Sequence, residues 1–222
     1  PHQGCPNDCV FCNQKRITGK SSSIDFNEIH KDIVNSLLTI KKDAQIEIAF
    51  FGGSFTAIDL NIQKRCLEIA NDFMARDSRI LDIRISTRPD AISEEILSFV
   101  KLYKVTIIEL GVQSLDDEVL ISSDRGHDSS CVYSSSKLIK EYGFKLGLQM
   151  MVGLPNDTYD KVVHTAKEFV KIKPDYVRIY PVLVIKDTKL EEMLNNREYK
   201  ALNIEETIEI VKKVFLLLTY NN

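Results

Sequence analysis

The chain has 222 residues, of which 44% are hydrophobic and 27% are charged, so it can bury one sizeable core and we expect a single domain. Its net charge of -3 and its pI near 5.9 exclude a global basic field for nucleic acids, so any RNA contact has to use a local patch. The longest apolar runs are far shorter than the roughly 20 residues that span a bilayer, and no secretory segment opens the chain. These features predict a cytoplasmic protein with no membrane contact.

Short β-rich runs alternate with amphipathic segments, as in parallel strands joined by crossover helices. The predicted strands are Ile46–Phe51, Leu81–Ser86, Val105–Leu110, Lys145–Met151 and Tyr176–Tyr180. The predicted helices lie near 25–40, 62–76, 93–102, 130–142, 157–172 and 204–218. Because the chain opens at Pro1 directly before a group of cysteines, we expect a fragment of a longer protein that lacks its first strand. The prediction is an α/β fold, a partial (β/α)6 barrel of the TIM type, with a doubly wound open sheet as the alternative.

Three of the five cysteines lie within eight positions, which favours a reducing compartment and a metal centre over a disulfide framework. Cys5, Cys9 and Cys12 have the spacing C-x3-C-x2-C in a loop rich in Gly, Pro and Asn. Thiolates are the ligands of iron–sulfur cubanes, and three of them leave one of four irons open to another ligand. The alternative is a zinc-stabilised binding module with a Cys3His site completed by His2. Cys66 lies on an apolar helical stripe and is predicted to pack in the core.

Glycine and polar residues follow the predicted strands, where both candidate folds bind their ligands. The glycines after the first strand permit close approach of a ligand to the backbone, although a plain turn has the same sequence. The segment Ser86–Asp90 is either a polar contact or a proline turn with a helix cap. Glu109 is either a ligand contact or a paired structural carboxylate, and His127 has either a structural role or a role in proton transfer. The candidate ligand contacts are Gly52, Gly53, Ser54, Ser86, Gln113, Arg125 and Gln149.

The cysteine spacing, with Phe11 before the last cysteine, resembles the signature of the radical S-adenosylmethionine (SAM) superfamily. The resemblance implies a [4Fe-4S] cluster on the three cysteines, whose open iron binds the amino and carboxylate groups of SAM. It also implies that an electron from the cluster splits SAM to a 5′-deoxyadenosyl radical. Gly52 and Gly53 match the GGE-like motif that contacts the SAM amino group, whereas Ser54 stands where many members have Glu or Thr.

The segments STRPD, ELGVQS, RGH, GLPN and RIYPVLVI are similar, in order along nearly the whole chain, to the radical SAM domain of the Elongator catalytic subunit family. That family modifies C5 of the tRNA wobble uridine with a group derived from acetyl-CoA. It uses a separate C-terminal acetyltransferase-type domain for the acetyl-CoA. The resemblance implies a radical SAM core over 1–222, with a post-barrel segment and a C-terminal helix in 186–222, and no visible acetyl-CoA site.

The implied partners are a tRNA substrate and an electron donor such as flavodoxin or ferredoxin. Lys15, Arg16 and Lys20 follow the cysteines directly, and we expect them to form a local patch that faces the tRNA, although a solvated charged loop has the same composition. The alternative substrate is a small molecule, because the coproporphyrinogen III oxidase group shares the GVQ and GLP elements.

Overall fold

The computed structural model describes Cys5, 8–13 and 24–220. Its five strands are β1 (Ile46–Phe50), β2 (Ile80–Thr87), β3 (Ile107–Gln113), β4 (Lys145–Val152) and β5 (Tyr176–Pro181). All neighbouring strands pair in parallel, and the sheet order is β1-β2-β3-β4-β5. The order never reverses, so the sheet is a half-barrel and not a doubly wound sheet. The predicted partial (β/α) barrel is confirmed.

Helices connect the strands and cover one face of the sheet. They are α1 (Phe26–Thr39), α2 (Leu60–Arg76), α3 (Glu94–Leu102), α4 (Asp117–Ser122), α5 (Ser129–Glu141), α6 (Tyr159–Ile172), α7 (Lys189–Asn195) and α8 (Ile204–Tyr220). Seven of them begin after an Asp, Ser or Thr whose side chain accepts hydrogen bonds from first-turn N–H groups, as at Ser93 and Thr158. None of the described helices is long and apolar enough to cross a membrane.

The two faces of the sheet differ in polarity because side chains alternate along each strand. The outer face is apolar: Ile83, Ile85, Ile108 and Leu148 are fully buried in a core that also includes Phe169 of α6. The inner face carries one polar or charged side chain from each strand near mid-height, namely Glu47, Arg84, Glu109, Gln149 and Arg178. TIM-type barrel interiors are usually filled with branched apolar residues, so this polar layer favours a binding function.

The segment after β5 folds back onto the cysteine loop. Val10 is 1% exposed and packs with Leu190 and Tyr199 in a small separate core. The N–H of Leu190 donates to the carbonyl of Val10 at 2.8 Å, and the N–H of Val10 donates to the carbonyl of Ser123 at 3.2 Å. The loop that carries the cysteines is therefore fixed from two sides, by α7 and by the end of α4.

Candidate active site

A cavity of about 740 Å³ lies at the carboxyl ends of the strands, beside the cysteine loop. Most of the residues predicted from the sequence line it together: Cys5, Cys9, Cys12, Gly52, Gly53, Ser86, Gln113, Arg125 and Gln149. The residues come from the cysteine loop, from β2, β3 and β4 or the turn after β1, and from the loop after α4. Their convergence follows from the parallel sheet, which gathers all strand ends at one edge.

Two arginines surround the buried Cys9. Arg125 Nη1 contacts Cys9 Sγ at 3.2 Å, and Arg88 Nη1 lies 3.8 Å from the same sulfur. Arg125 Nη2 also donates to the carbonyl of Gly111, while Arg88 is held by Asp90 at 2.9 Å. Burial lowers the pKa of the Arg125 guanidinium, and the nearby cysteine sulfur acts in the opposite direction, but an arginine stays charged at any pH of interest. The two cations therefore favour negative charge on the cysteine loop.

The three thiols line one cavity without forming a ready metal site. None of the five cysteines, all of them described, forms a disulfide. Within the described part of the chain, no group of three or more His, Cys, Asp or Glu side chains comes together as a metal ion requires. The donor chemistry nevertheless suits an iron–sulfur cluster, because three sulfurs face one cavity beside two guanidinium groups. His2, the candidate fourth zinc ligand, lies outside the described residues.

Ser54 is the one predicted contact that is absent from the cavity wall. It is fully buried, its Oγ lies 2.8 Å from Thr87 Oγ1, and it accepts a hydrogen bond from the backbone N–H of Arg88 at 3.3 Å. Thr56 Oγ1 also lies 2.6 Å from Thr87 Oγ1. The structure thus gives Ser54 a supporting position, in which it holds the backbone that carries Arg88 towards Cys9.

Gln113 has an unusual backbone and an unsatisfied acceptor. Its φ of 75° accompanies a register irregularity between Gly111 and Gln113, which turns the end of β3. Its Oε1 is buried and has no hydrogen-bond partner among the described residues. Buried acceptors are normally satisfied, so this oxygen fits a ligand that brings an N–H donor. At Gly111 an added Cβ would lie 3.2 Å from Gln113 Nε2, so a larger residue would press on this amide.

The turn after β1 also requires glycine, because Gly52 and Gly53 have φ values of 93° and 68°. We expect Gly52→Ala to cost about 1–2 kcal/mol of stability and to weaken SAM binding about tenfold, since the strained turn must shift at the cavity wall. Gly143→Ala is the control, because its φ of 79° gives similar strain while its Cβ would approach only Lys101 Nζ, at 4.0 Å. Calorimetric SAM titration and thermal melting separate the two effects. Equal SAM affinities in both variants would contradict the predicted contact between the Gly52 turn and SAM.

Below the cavity, Glu109 joins several strands through a buried ion-pair network. Its carboxylate is fully buried and accepts from Arg84 at 3.0 Å, from Arg178 at 2.7 Å and from Gln149 Nε2 at 2.6 Å. Arg84 also pairs with Glu47 at 2.7 Å. The amide nitrogen of Gln149 donates to Glu109, so the amide oxygen of Gln149 is the acceptor that a ligand can use. Of the two interpretations left open by the sequence, the structure supports a paired structural carboxylate.

His127 lies beside the two arginines and is expected to make stability depend on pH. Burial, helped by Arg125 and Arg88, lowers the pKa of His127 from 6.5 to about 4. The unfolded chain takes up this proton near pH 6.5 and the folded chain only near pH 4, so stability falls as the pH drops between these values, by up to about 3 kcal/mol.

Burial raises the pKa of Asp157 to about 6, which opposes the His127 effect in the same pH window. The unfolding free energies of the native chain and of His127→Asn are therefore each measured at pH 7 and at pH 4.5, and the two losses are compared. We expect the native chain to lose more stability than the variant on acidification. The same loss in both would show that His127 titrates normally in the fold.

The family of the chain follows from comparison with known proteins. A family model described as the radical SAM superfamily matches residues 1–169, and a model described as a radical SAM C-terminal domain matches residues 174–221. The chain belongs to the radical SAM superfamily. Members of this superfamily use a [4Fe-4S] cluster and SAM, so the family agrees with the three-cysteine loop and the cavity beside it.

Individual relatives extend this result. The chain is 34% identical over 186 residues to a tRNA uridine(34) acetyltransferase of Methanocaldococcus jannaschii, which covers 75% of this chain and 34% of that protein. The structure of the archaeal Elp3 of Methanocaldococcus infernus, lacking residues 1–46, is 30% identical, with a TM-score of 0.73 over 85% of this chain and 49% of that one. The chain thus spans about a third of the length of that acetyltransferase.

A coproporphyrinogen III oxidase from Escherichia coli has a similar structure at 17% identity, with a TM-score of 0.68 over 98% of this chain and 50% of that one. At this level of identity the likeness concerns the fold alone.

Proposed function

We propose that this radical SAM enzyme modifies C5 of the wobble uridine of tRNA and that the described domain generates the radical. The observation that carries the proposal is the cavity, in which three cysteines, two positively charged arginines and the glycine turn meet. The choice of tRNA as the substrate is based on the similarity to a tRNA uridine(34) acetyltransferase. Cys5, Cys9 and Cys12 would hold the cluster, which when bound supplies the electron that cleaves SAM.

The residues of the chain itself have distinct roles in this proposal. Gln113 Oε1 accepts a hydrogen bond from the SAM amino group, and Gln149 Oε1 accepts one from a ribose hydroxyl. Arg125 holds positive charge between Cys9 and the cavity, where it also attracts the SAM carboxylate. Arg88, fixed by Asp90, adds a second positive charge at Cys9. The ion pairs and hydrogen bonds of the inner polar layer hold its side chains in one arrangement below the cavity.

Binding of tRNA to the reconstituted protein tests the substrate. We expect an anticodon stem-loop to bind and to stimulate SAM cleavage, and a tRNA without its anticodon loop to do neither. Coproporphyrinogen III serves as the small-molecule comparison. If it stimulates SAM cleavage and the anticodon stem-loop does not, the tRNA assignment is overturned.

Lys15, Arg16 and Lys20 lie outside the described residues, and the basic patch stays a prediction. Replacing all three with Ala should weaken tRNA binding and reduce the log-log salt slope by about 2–3, because each lost phosphate contact lowers it by roughly 0.7–0.9. The matched control replaces Lys64, Lys137 and Lys212, which are exposed on helices. Filter binding at several salt concentrations measures both slopes. A slope that changes equally in both triple variants would show that only net charge matters.

A further inference from the structure

Phe51 and Tyr180 line the cavity, and together with Arg178, which lies over the Phe51 ring, they form an aromatic and cationic wall. Phe51 directly follows β1 and Tyr180 lies in β5, so they lie at the two outermost of the described strands. Both line the cavity, yet they are 37% and 40% exposed. Large aromatic side chains that stay exposed inside a cavity are available to a flat ligand.

Arg178 connects these two edges of the sheet. Its guanidinium lies over the Phe51 ring at 4.7 Å from the ring centroid, and its Nε pairs with the fully buried Glu109 at 2.7 Å. Glu109 therefore fixes the guanidinium from below, and the side chain of Arg178 remains 42% exposed. A guanidinium has five N–H donors, so groups remain for a ligand after the contact with Glu109.

The charges below the wall balance, because Arg84 and Arg178 face Glu47 and Glu109. A balanced network gives little attraction for a free anion but suits a neutral ring that carries carbonyl oxygens. Unstacked RNA bases are held in this way, by stacking on aromatic rings or guanidinium planes with hydrogen bonds to their edges. A pyrimidine such as uracil offers two carbonyl acceptors to such donors.

We propose that Phe51, Arg178 and Tyr180 form the subsite for an unstacked pyrimidine base of the RNA substrate. This inference rests on the proposed function and names the residues that would hold the reacting base. The base stacks against the aromatic side chains, and Arg178 donates to one of its carbonyl oxygens. Phe51 and Tyr180 line the same cavity as the three cysteines, and Arg178 adjoins it through the Phe51 ring, which brings the base to the compartment where SAM is cleaved.

The test compares two anticodon stem-loops, one intact and one with an abasic site at the wobble position, on the reconstituted protein. We expect Phe51→Ala to weaken the intact RNA about 5- to 150-fold, as for loss of one stacked base, and to leave the abasic RNA within about twofold. Phe51→Leu should lose most of the same affinity, because it keeps the apolar volume without the ring. Tyr159→Ala is the control, since Tyr159 is 47% exposed on α6 and does not line the cavity.

Each outcome has a separate meaning. If the native protein binds neither RNA, the proposed function fails before the subsite is tested. If it prefers the intact RNA and Phe51→Ala keeps that preference, only the subsite is overturned. SAM affinity is measured in parallel, and a loss of SAM affinity as large as the loss of RNA affinity would mean that the ring holds the adenine of SAM instead. Arg178→Lys, which keeps the charge but not the planar group, should show a partial loss for intact RNA alone.

Discussion

Cys9→Ala is expected to abolish the iron–sulfur cluster. The native chain should take up about four irons and four sulfides on anaerobic reconstitution, and the variant fewer than about one of each, because two thiolates do not hold a cubane. The visible charge-transfer absorption and SAM cleavage should disappear with the iron. Iron and sulfide analysis, with an anaerobic visible spectrum, measures the loss.

Cys12→Ala is a second test of the cluster, and Cys131→Ala is its control. Cys9 is buried between two arginines, so its loss also changes the packing of Arg88 and Arg125. Cys12 is half-buried, and its replacement should remove the cluster while leaving those arginines in contact with Cys9. Cys131 lies on α5 away from the cavity, and its variant should keep the full iron content. Stoichiometric zinc without visible absorption in the native chain would contradict the cluster and favour the zinc-stabilised module.

The strands could be predicted from the sequence because each is a short apolar run between turn residues. The strand β3 shows where this signal ends: the sequence predicted Val105–Leu110, and the structure has Ile107–Gln113. Gly111 and Gln113 look like the start of a loop, yet the ladder continues through an irregular register to the cavity wall. The helix α7 was not predicted as a helix, since a helix of seven residues gives almost no periodic pattern.

The positions of the site residues were also predictable, but their contacts were not. Parallel strands bring their carboxyl ends to one edge, and this rule alone gathers Gly52, Ser86, Gln113 and Gln149. The position of Arg88 at Cys9 joins residues 79 positions apart, and no local pattern encodes such a contact. The sequence also did not reveal that Ser54 is turned inward, because a serine after a glycine turn can face either the core or the solvent.

Glu109→Ala should be the most destabilising single substitution in the polar layer. Glu109 is fully buried, and its removal leaves Arg84, 8% exposed, with the half-exposed carboxylate of Glu47 and the ring of Tyr176 as its neighbours. Breaking a buried ion pair from one side typically costs 3–5 kcal/mol, which is about 6–20 °C in melting temperature for a chain of this size. Because Gln149 and Arg178 lose their shared acceptor as well, SAM and RNA affinities should fall together.

Two further variants decide whether this loss comes from the buried charge. Glu109→Gln keeps the shape and an acceptor for Gln149, so it should lose less stability than Glu109→Ala. Glu141→Ala removes the carboxylate of an exposed i,i+4 pair with Lys137 and should change the unfolding free energy by less than about 0.5 kcal/mol. Thermal and denaturant unfolding of the three variants provides the comparison. A loss in Glu109→Ala no larger than in Glu141→Ala would contradict the structural role of Glu109, because a buried carboxylate with three partners would then add no more stability than an exposed one.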